Sequence, residues 1–410
     1  MFLNCSVLIS CLLALLSPFL WAETSHFDEK IFEMEAQLET IKSELAQTKI
    51  LAQQERASAF NPSISVIGDI VGQYGIGVPE EPKNGHAKDS HDHSHSHDFQ
   101  NGVNVRELEF EFRGAIDPWA DALVVVAIEQ HGLKHFEIDV EEAFVRLKKW
   151  PVLDYAPLGI ESRLGKFRTA IGRMNRIHLH NIPHISYPLA LQVFLGEEGY
   201  ASQGLSFNSS WVPSSKSALT WFLEGITGSR LPMQDKGAQE VPSGIGHLWW
   251  HQELNDAHFI DLGISSLVGR KGKYESGTFW LSGADFHYSY LPTGHGQNPV
   301  FLFGSEFYMA NKETDKGWPL GNFTWAQVKM LGSSFFGMRY DIAPHKDDFS
   351  EMQHAIGIYT GVYTTEFMRV RLGYEHVMPR LNSLDGDHRF LLSFNFILGS
   401  HPVEPYFANR

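Results

Sequence analysis

Cysteine is almost missing from this 410-residue chain: it holds two, Cys5 and Cys11. Both fall in the apolar N-terminal run, so no disulfide or thiol chemistry is expected in the remainder. Charge is missing from the same region, since residues 1–22 carry no charged side chain. The apolar run Val7–Ala22 ends in Leu20-Trp21-Ala22, as an export signal cleaved before Glu23 would, but it lacks the basic start of such a signal. Leu8-Ile9-Ser10-Cys11 has some likeness to a lipoprotein box. The run nevertheless stays apolar for ten residues past Cys11, where a lipoprotein turns polar. Basic residues are outnumbered overall, 33 Lys and Arg against 48 Asp and Glu, for a formal charge of -15, which argues against a nucleic-acid partner. Enzyme signatures are absent too: there is no Gly-x-Ser-x-Gly elbow, HExxH zinc helix or phosphate loop, so an outer-membrane hydrolase finds no support.

What the chain has is period-2 alternation. In Arg106-Glu107-Leu108-Glu109-Phe110-Glu111-Phe112, every second residue gives Leu, Phe and Phe on one side and three glutamates on the other, one oily and one wet face. Leu302–Ala310 sets Phe303, Phe307 and Met309 against Gly304, Glu306 and Tyr308, and Gln353–Val362 sets Ile356, Ile358 and Val362 against Gly357, Tyr359 and Gly361. Arg369–Glu375 sets Val370, Leu372 and Tyr374 against Arg369, Arg371 and Glu375. Phe390, Leu392, Phe394 and Phe396 alternate with Leu391, Ser393 and Asn395, and the Asp385-Gly386 pair before them supplies a hairpin turn. In Phe136–Leu147 the apolar phase slips at Glu141-Glu142, which predicts a β-bulge. A soluble sandwich also alternates, but it hides its aromatic face in a core.

The pattern therefore predicts an all-β fold, a transmembrane antiparallel β-barrel over 59–410. At roughly 20–25 residues per strand and connection, its length allows about 14–18 strands. Residues 1–22 read as signal peptide and 23–58 as a periplasmic coiled-coil helix, with Phe27, Ile31, Met34, Leu38, Ile41, Leu45 and Thr48 stepping by four and three. That heptad favours more than two strands, and so a homotrimer; packing on its own barrel is the alternative. Outer-membrane lipid is the expected surroundings.

Two histidine groups stand out. The segment 79–100 reads as a disordered loop, and it carries His86, His91, His93, His95 and His97 with Asp89, Asp92 and Asp98. That density suits weak, multivalent capture of zinc, copper or nickel, failing as pH falls through the histidine range near 6.5. The second group, His178, His180 and His184, lies in Gly172–His184, a stretch too irregular for a membrane strand. A loop folded into the lumen would place these histidines on a cation path with Arg168, Arg173 and Arg176 nearby; histidines that merely anchor the loop to the wall are the equal alternative. No cofactor is required by this reading.

The stretch from Gly165-Lys166-Phe167 through Asn175, His178-Leu179-His180, Pro188-Leu189, Leu195-Gly196-Glu197-Glu198-Gly199-Tyr200 and Gly204 to Trp211-Val212-Pro213 resembles bacterial outer-membrane proteins labelled zinc-regulated outer-membrane receptors. Asn61-Pro62-Ser63-Ile64-Ser65, Asp117-Pro118, Glu141–Val145 and Gly399-Ser400-His401-Pro402 are similar too. The strand and turn style also resembles phosphate-selective porins, more loosely. The resemblance implies a porin-like barrel linked to metal supply, with His178, His180 and the histidine-rich loop as metal candidates. An energised receptor would need a plug domain before the first strand, which this chain has no room for, and a tail follows the last strand.

The expectation is passive diffusion of small solutes, cations above all, through a pore lined by Glu107, Glu109 and Glu111, in the outer membrane of a Gram-negative-type bacterium. The rival is a barrel-anchored metal-binding or adhesive surface protein with a closed lumen.

Overall fold

The computed structural model describes residues 62–76, 101–131, 135–150 and 156–399, apart from 293–298, 313, 331–332, 347 and 382–385. The export signal, the heptad helix, the histidine-rich loop at 79–100 and the C-terminal tail lie outside the described residues.

The strands run β1 (Ser63–Ile76), β2 (Gly102–Ala115), β3 (Ala120–His131), β4 (His135–Leu147), β5 (Glu161–Arg168), β6 (Ala201–Ser214), β7 (Ser217–Thr227) and β8 (Ser243–Asn255). They continue as β9 (His258–Arg270), β10 (Thr278–Tyr290), β11 (Val300–Ala310), β12 (Leu320–Lys329), β13 (Ser334–Pro344), β14 (Met352–Thr365), β15 (Met368–Met378) and β16 (Asp387–Gly399). Each pairs antiparallel with its sequence neighbours, and β1 pairs with β16 to close the barrel. Sixteen strands fall inside the range that the chain length allowed, and closure leaves no unpaired sheet edge facing lipid. A closed barrel of this kind, oily outside and polar within, belongs in an outer membrane.

The alternation decides which way each strand faces. On β13 to β16, Phe336, Met338, Ile356, Ile358, Leu372, Phe390 and Leu392 are exposed on the outside, while Arg339, Asp341, Arg369, Arg371, Ser393 and Asn395 are buried inside. Hydrocarbon contact rewards the first set. The second is sheltered by the barrel and by chain folded into it.

Among the described residues the register shifts in five strand pairs, and two of these bulges, in β4 and β2, turn charged side chains inward. The β3–β4 register skips Glu141, with Val126 opposite Val140 and Val125 opposite Glu142. This is the bulge that the phase slip predicts, and it turns both Glu141 and Glu142 inward. The β1–β2 register skips Arg106 in the same way. Strict alternation would aim Arg106 at lipid beside Leu108. The bulge instead buries it, and its guanidinium pairs with Asp69 on β1 and donates to the Ile185 carbonyl at 2.6 Å.

Between β5 and β6 the chain leaves the wall. Residues 169–200 fold into the lumen as short turns and one helix, α1 (Leu189–Leu195), as the irregular Gly172–His184 stretch predicts. Gly172 has a φ of 67° and lies so near β11 that a Cβ would meet Tyr308 and Glu306. Phe167, Ile171, Met174, Leu191 and Phe194 pack with Leu281, Tyr308, Phe323 and Trp325 of the wall into a buried apolar core. A lumen with greasy wall residues at β10 to β12 is thus filled by a greasy insert. Among the described residues, no helix is long and apolar enough to cross a membrane.

Candidate metal centre

The inserted segment is held by polar groups around the barrel. Glu224 on β7 accepts the Ala170 N–H at 3.0 Å, Glu306 on β11 accepts that of Met174 at 2.7 Å, and Asp341 on β13 accepts that of Leu189 at 3.2 Å. From β15, Arg369 donates to the His180 carbonyl, and Arg371 donates to those of Ile182 and His184 at 3.2 and 2.6 Å. Arg339 of β13 adds the Ser186 carbonyl at 2.6 Å. Each guanidinium satisfies irregular backbone that no ladder can serve.

These anchors press His178 and His180 against β2 and β4. His178 Nδ1 lies 2.8 Å from Glu141 Oε2 and 3.3 Å from Glu109 Oε1, while its Nε2 lies 3.0 Å from Glu142 Oε2. His180 Nδ1 is 3.0 Å from the same Glu109 oxygen. A carboxylate only accepts, so His178 Nε2–H donates to Glu142, while Nδ1 lies close to Glu141 and Glu109 without a well-formed hydrogen bond. Burial disfavours a charge on this ring and Arg168 repels it, but Glu109 and Glu141 prevail and hold His178 well above the ordinary histidine range.

Metal-ligand atoms of Glu109, His178 and His180 all lie within 4.8 Å of one another, and so do those of Glu107, Glu129 and Glu141. Two imidazoles and a carboxylate are the donor set of a borderline cation such as zinc. A cation there would take the place of the Nδ1 protons, leaving His178 Nε2–H on Glu142, the outer-shell bond that fixes a ligating ring. The surrounding charge points the same way. Five buried carboxylates, Glu107, Glu109, Glu129, Glu141 and Glu142, face two histidines and Arg168, whose guanidinium sits 3.4 Å from Glu141. One Glu107 carboxylate oxygen is buried without a hydrogen-bond partner, which is costly unless a proton or cation compensates.

The other candidates divide. Glu111 is half-buried further along β2. His184 is not part of the cluster. It lies near Arg339 and Tyr359, with Nδ1–H donating to the Ser186 carbonyl at 2.7 Å. Burial and the flanking Arg339 and Arg371 keep it well below the ordinary histidine range. Arg173 pairs with Asp261 at 2.8 Å. Arg176 is the exposed one of the three arginines, 4.4 Å from the Phe222 ring and without an ion pair among the described residues. Residues that sequence reasoning missed include Glu141 and Glu142 as partners of His178, Glu129 beside Glu107 and Glu141, and Arg106, Arg339, Arg369 and Arg371 as anchors.

A closed sixteen-strand barrel with a segment folded inward and charged groups on its inner wall has the architecture of a porin. Solved structures agree on the fold. A structure of OprB from Pseudomonas putida at high pH aligns with a TM-score of 0.52 over 84% of this chain and 96% of its own, at 8% identity. An anion-selective porin from Comamonas acidovorans gives 0.51 over 82% and 99%, at 10% identity. Salmonella typhi OmpF in complex with daunomycin gives 0.51 over 82% and 97%, also at 10%. No protein-family model matches the chain. By sequence it belongs to the same family as a protein of Aquifex aeolicus (strain VF5) described as an uncharacterized protein, 30% identical over 399 residues that cover 85% of this chain and 80% of that one.

Proposed function

We propose that the chain is a porin-like outer-membrane channel for passive diffusion of small cations, with a zinc-like divalent ion engaged inside the lumen by Glu109, His178 and His180. The observation that carries this reading is His178, which has a carboxylate on each ring nitrogen, so that a cation can replace one proton while the other bond orients the ring. The excess of buried carboxylates supports cation preference. Zinc is here cargo or a pore ligand, not a required cofactor. The histidine-rich loop, His86 to His97, would raise the concentration of such ions at one mouth, and the heptad helix at residues 27–52 supports a homotrimer. No enzymatic step is assigned.

Reversal potentials of the purified protein under a salt gradient test the channel. Cation-selective potentials support it, and anion-selective ones, which Arg176 would favour, overturn the cation reading.

One observation favours a second reading. The inserted segment bonds to walls all around the barrel and packs an apolar core into it, so the barrel would be a closed anchor for a surface metal-binding protein. Folded protein that passes no current would establish that reading.

A further inference from the structure

Across three strands from the cluster just described, with β5, β6 and β7 between, the inner wall carries a second histidine and aspartate group. Strand register sets His251, Asp261 and His287 side by side in one row over β8, β9 and β10. His251 Nδ1–H donates to Asp261 at 2.5 Å, His287 Nδ1 lies 3.8 Å from the other Asp261 oxygen, and Arg173 reaches that same oxygen from the inserted segment. In the next row Gly263 stands between Trp249 and Asp285. A Cβ at Gly263 would come within 2.1 Å of Asp285 Oδ2, so the carboxylate lies over the glycine. There it comes within 3.6 Å of His247 Nε2.

Both ring nitrogens of His247 and both carboxylate oxygens of Asp285 are buried without a well-formed hydrogen bond, though the Ala170 backbone of the inserted segment stands close to the His247 ring, and each residue is 5% exposed. Buried polar atoms in native structures are nearly always satisfied. Here two adjacent groups of complementary donor chemistry are left open together. Arg173 pairs with Asp261 and also acts through space on Asp285.

We infer that His247 and Asp285 form a second station for a divalent transition-metal ion, water completing its ligands, on the inner wall beyond β7 from the Glu109 cluster. Imidazole with carboxylate suits zinc, cobalt or nickel, and the missing side chain at Gly263 lets the Asp285 carboxylate lie toward His247. The inference extends the metal-handling pore proposed above, but it stands on different residues and survives if that site fails.

The test is a zinc titration by calorimetry on the full chain in detergent, with His86, His91, His93, His95 and His97 changed to Ser to silence the external loop. Folding of each variant is checked by the mobility of unheated protein on gels. The parent should bind two equivalents. His247→Gln with Asp285→Asn should lose one and keep the other, whereas His178→Gln with His180→Gln should lose the complementary one. Asp285→Asn alone, which leaves the shape of the site unchanged, and Gly263→Ala, which pushes Asp285 aside, should each weaken the same equivalent at least tenfold. If the His247 and Asp285 variants bind as the parent does, water alone fills the pair and the inference is wrong. If only the His178 and His180 variant binds as the parent does, the Glu109 site fails and the second station stands.

Discussion

His178 Nδ1 lies 2.8 Å from Glu141 Oε2, and Glu141 faces the lumen together with Glu142 because β4 carries one residue more than its partner at that point. Strict alternation would aim one of these two glutamates at lipid, and the bulge makes both of them partners of the inserted segment. Bulges next to functional sites commonly re-aim a side chain in this way.

Deleting Glu141 tests that link. Without it Val140 and Glu142 become neighbours, and each keeps its present partner, Val126 and Val125. The expected outcome is a barrel that still folds, with zinc affinity reduced roughly tenfold or more, read by calorimetry. Glu142→Gln should cost about 10–100-fold by weakening the bond that orients the ring.

The arginine anchors make a separate claim about the pore. Changing Arg369 and Arg371 to Met strips donors from the carbonyls of His180, Ile182 and His184, at about 1–3 kcal/mol for each group left unsatisfied. The inserted segment should loosen, giving larger and noisier single-channel currents. Unchanged currents would show that the apolar core around Phe194 and Tyr308 holds the segment alone.

His184 gives a pH dependence whose sign is fixed. Its docked pKa is lowered by burial and by Arg339, so it resists a proton that the undocked segment accepts. Its contribution to docking is intact above the unperturbed value of about 6.5 and is lost as pH falls from there toward the lowered value. Current noise should therefore rise on acidification, and His184→Gln, which keeps a donor for the Ser186 carbonyl, should flatten that response.

Removing residues 86–97 should reduce zinc uptake at low external zinc and leave bulk conductance unchanged. Uptake equal to that of the intact chain would remove the loop from the account.

Much of this architecture is legible in the residues. Glu107 and Glu109 face inward as their alternation with Leu108 and Phe110 requires, and the β4 bulge is visible as a slip at Glu141-Glu142. The Arg106 bulge has the same signal, a slip from Val103 and Val105 to Leu108, Phe110 and Phe112, but with only two apolar residues before it the slip is faint. The alternating Arg369 and Arg371 mark a wet face, but their task depends on carbonyls nearly 190 residues earlier, a pairing with no local signal. The same holds for His178 with Glu141 and Glu142. His247 and Asp285 lie on alternating strands, yet only the strand register brings them together across Gly263.

The central claim is a pore with a metal-ion site at His178. Single-channel recording in a planar bilayer, with micromolar zinc added to wild type and to His178→Gln, tests it most directly. The account predicts cation-selective steps that zinc blocks or makes flicker in wild type, and much weaker block in the variant. Equal block of both proteins, or open steps indifferent to zinc, would contradict it.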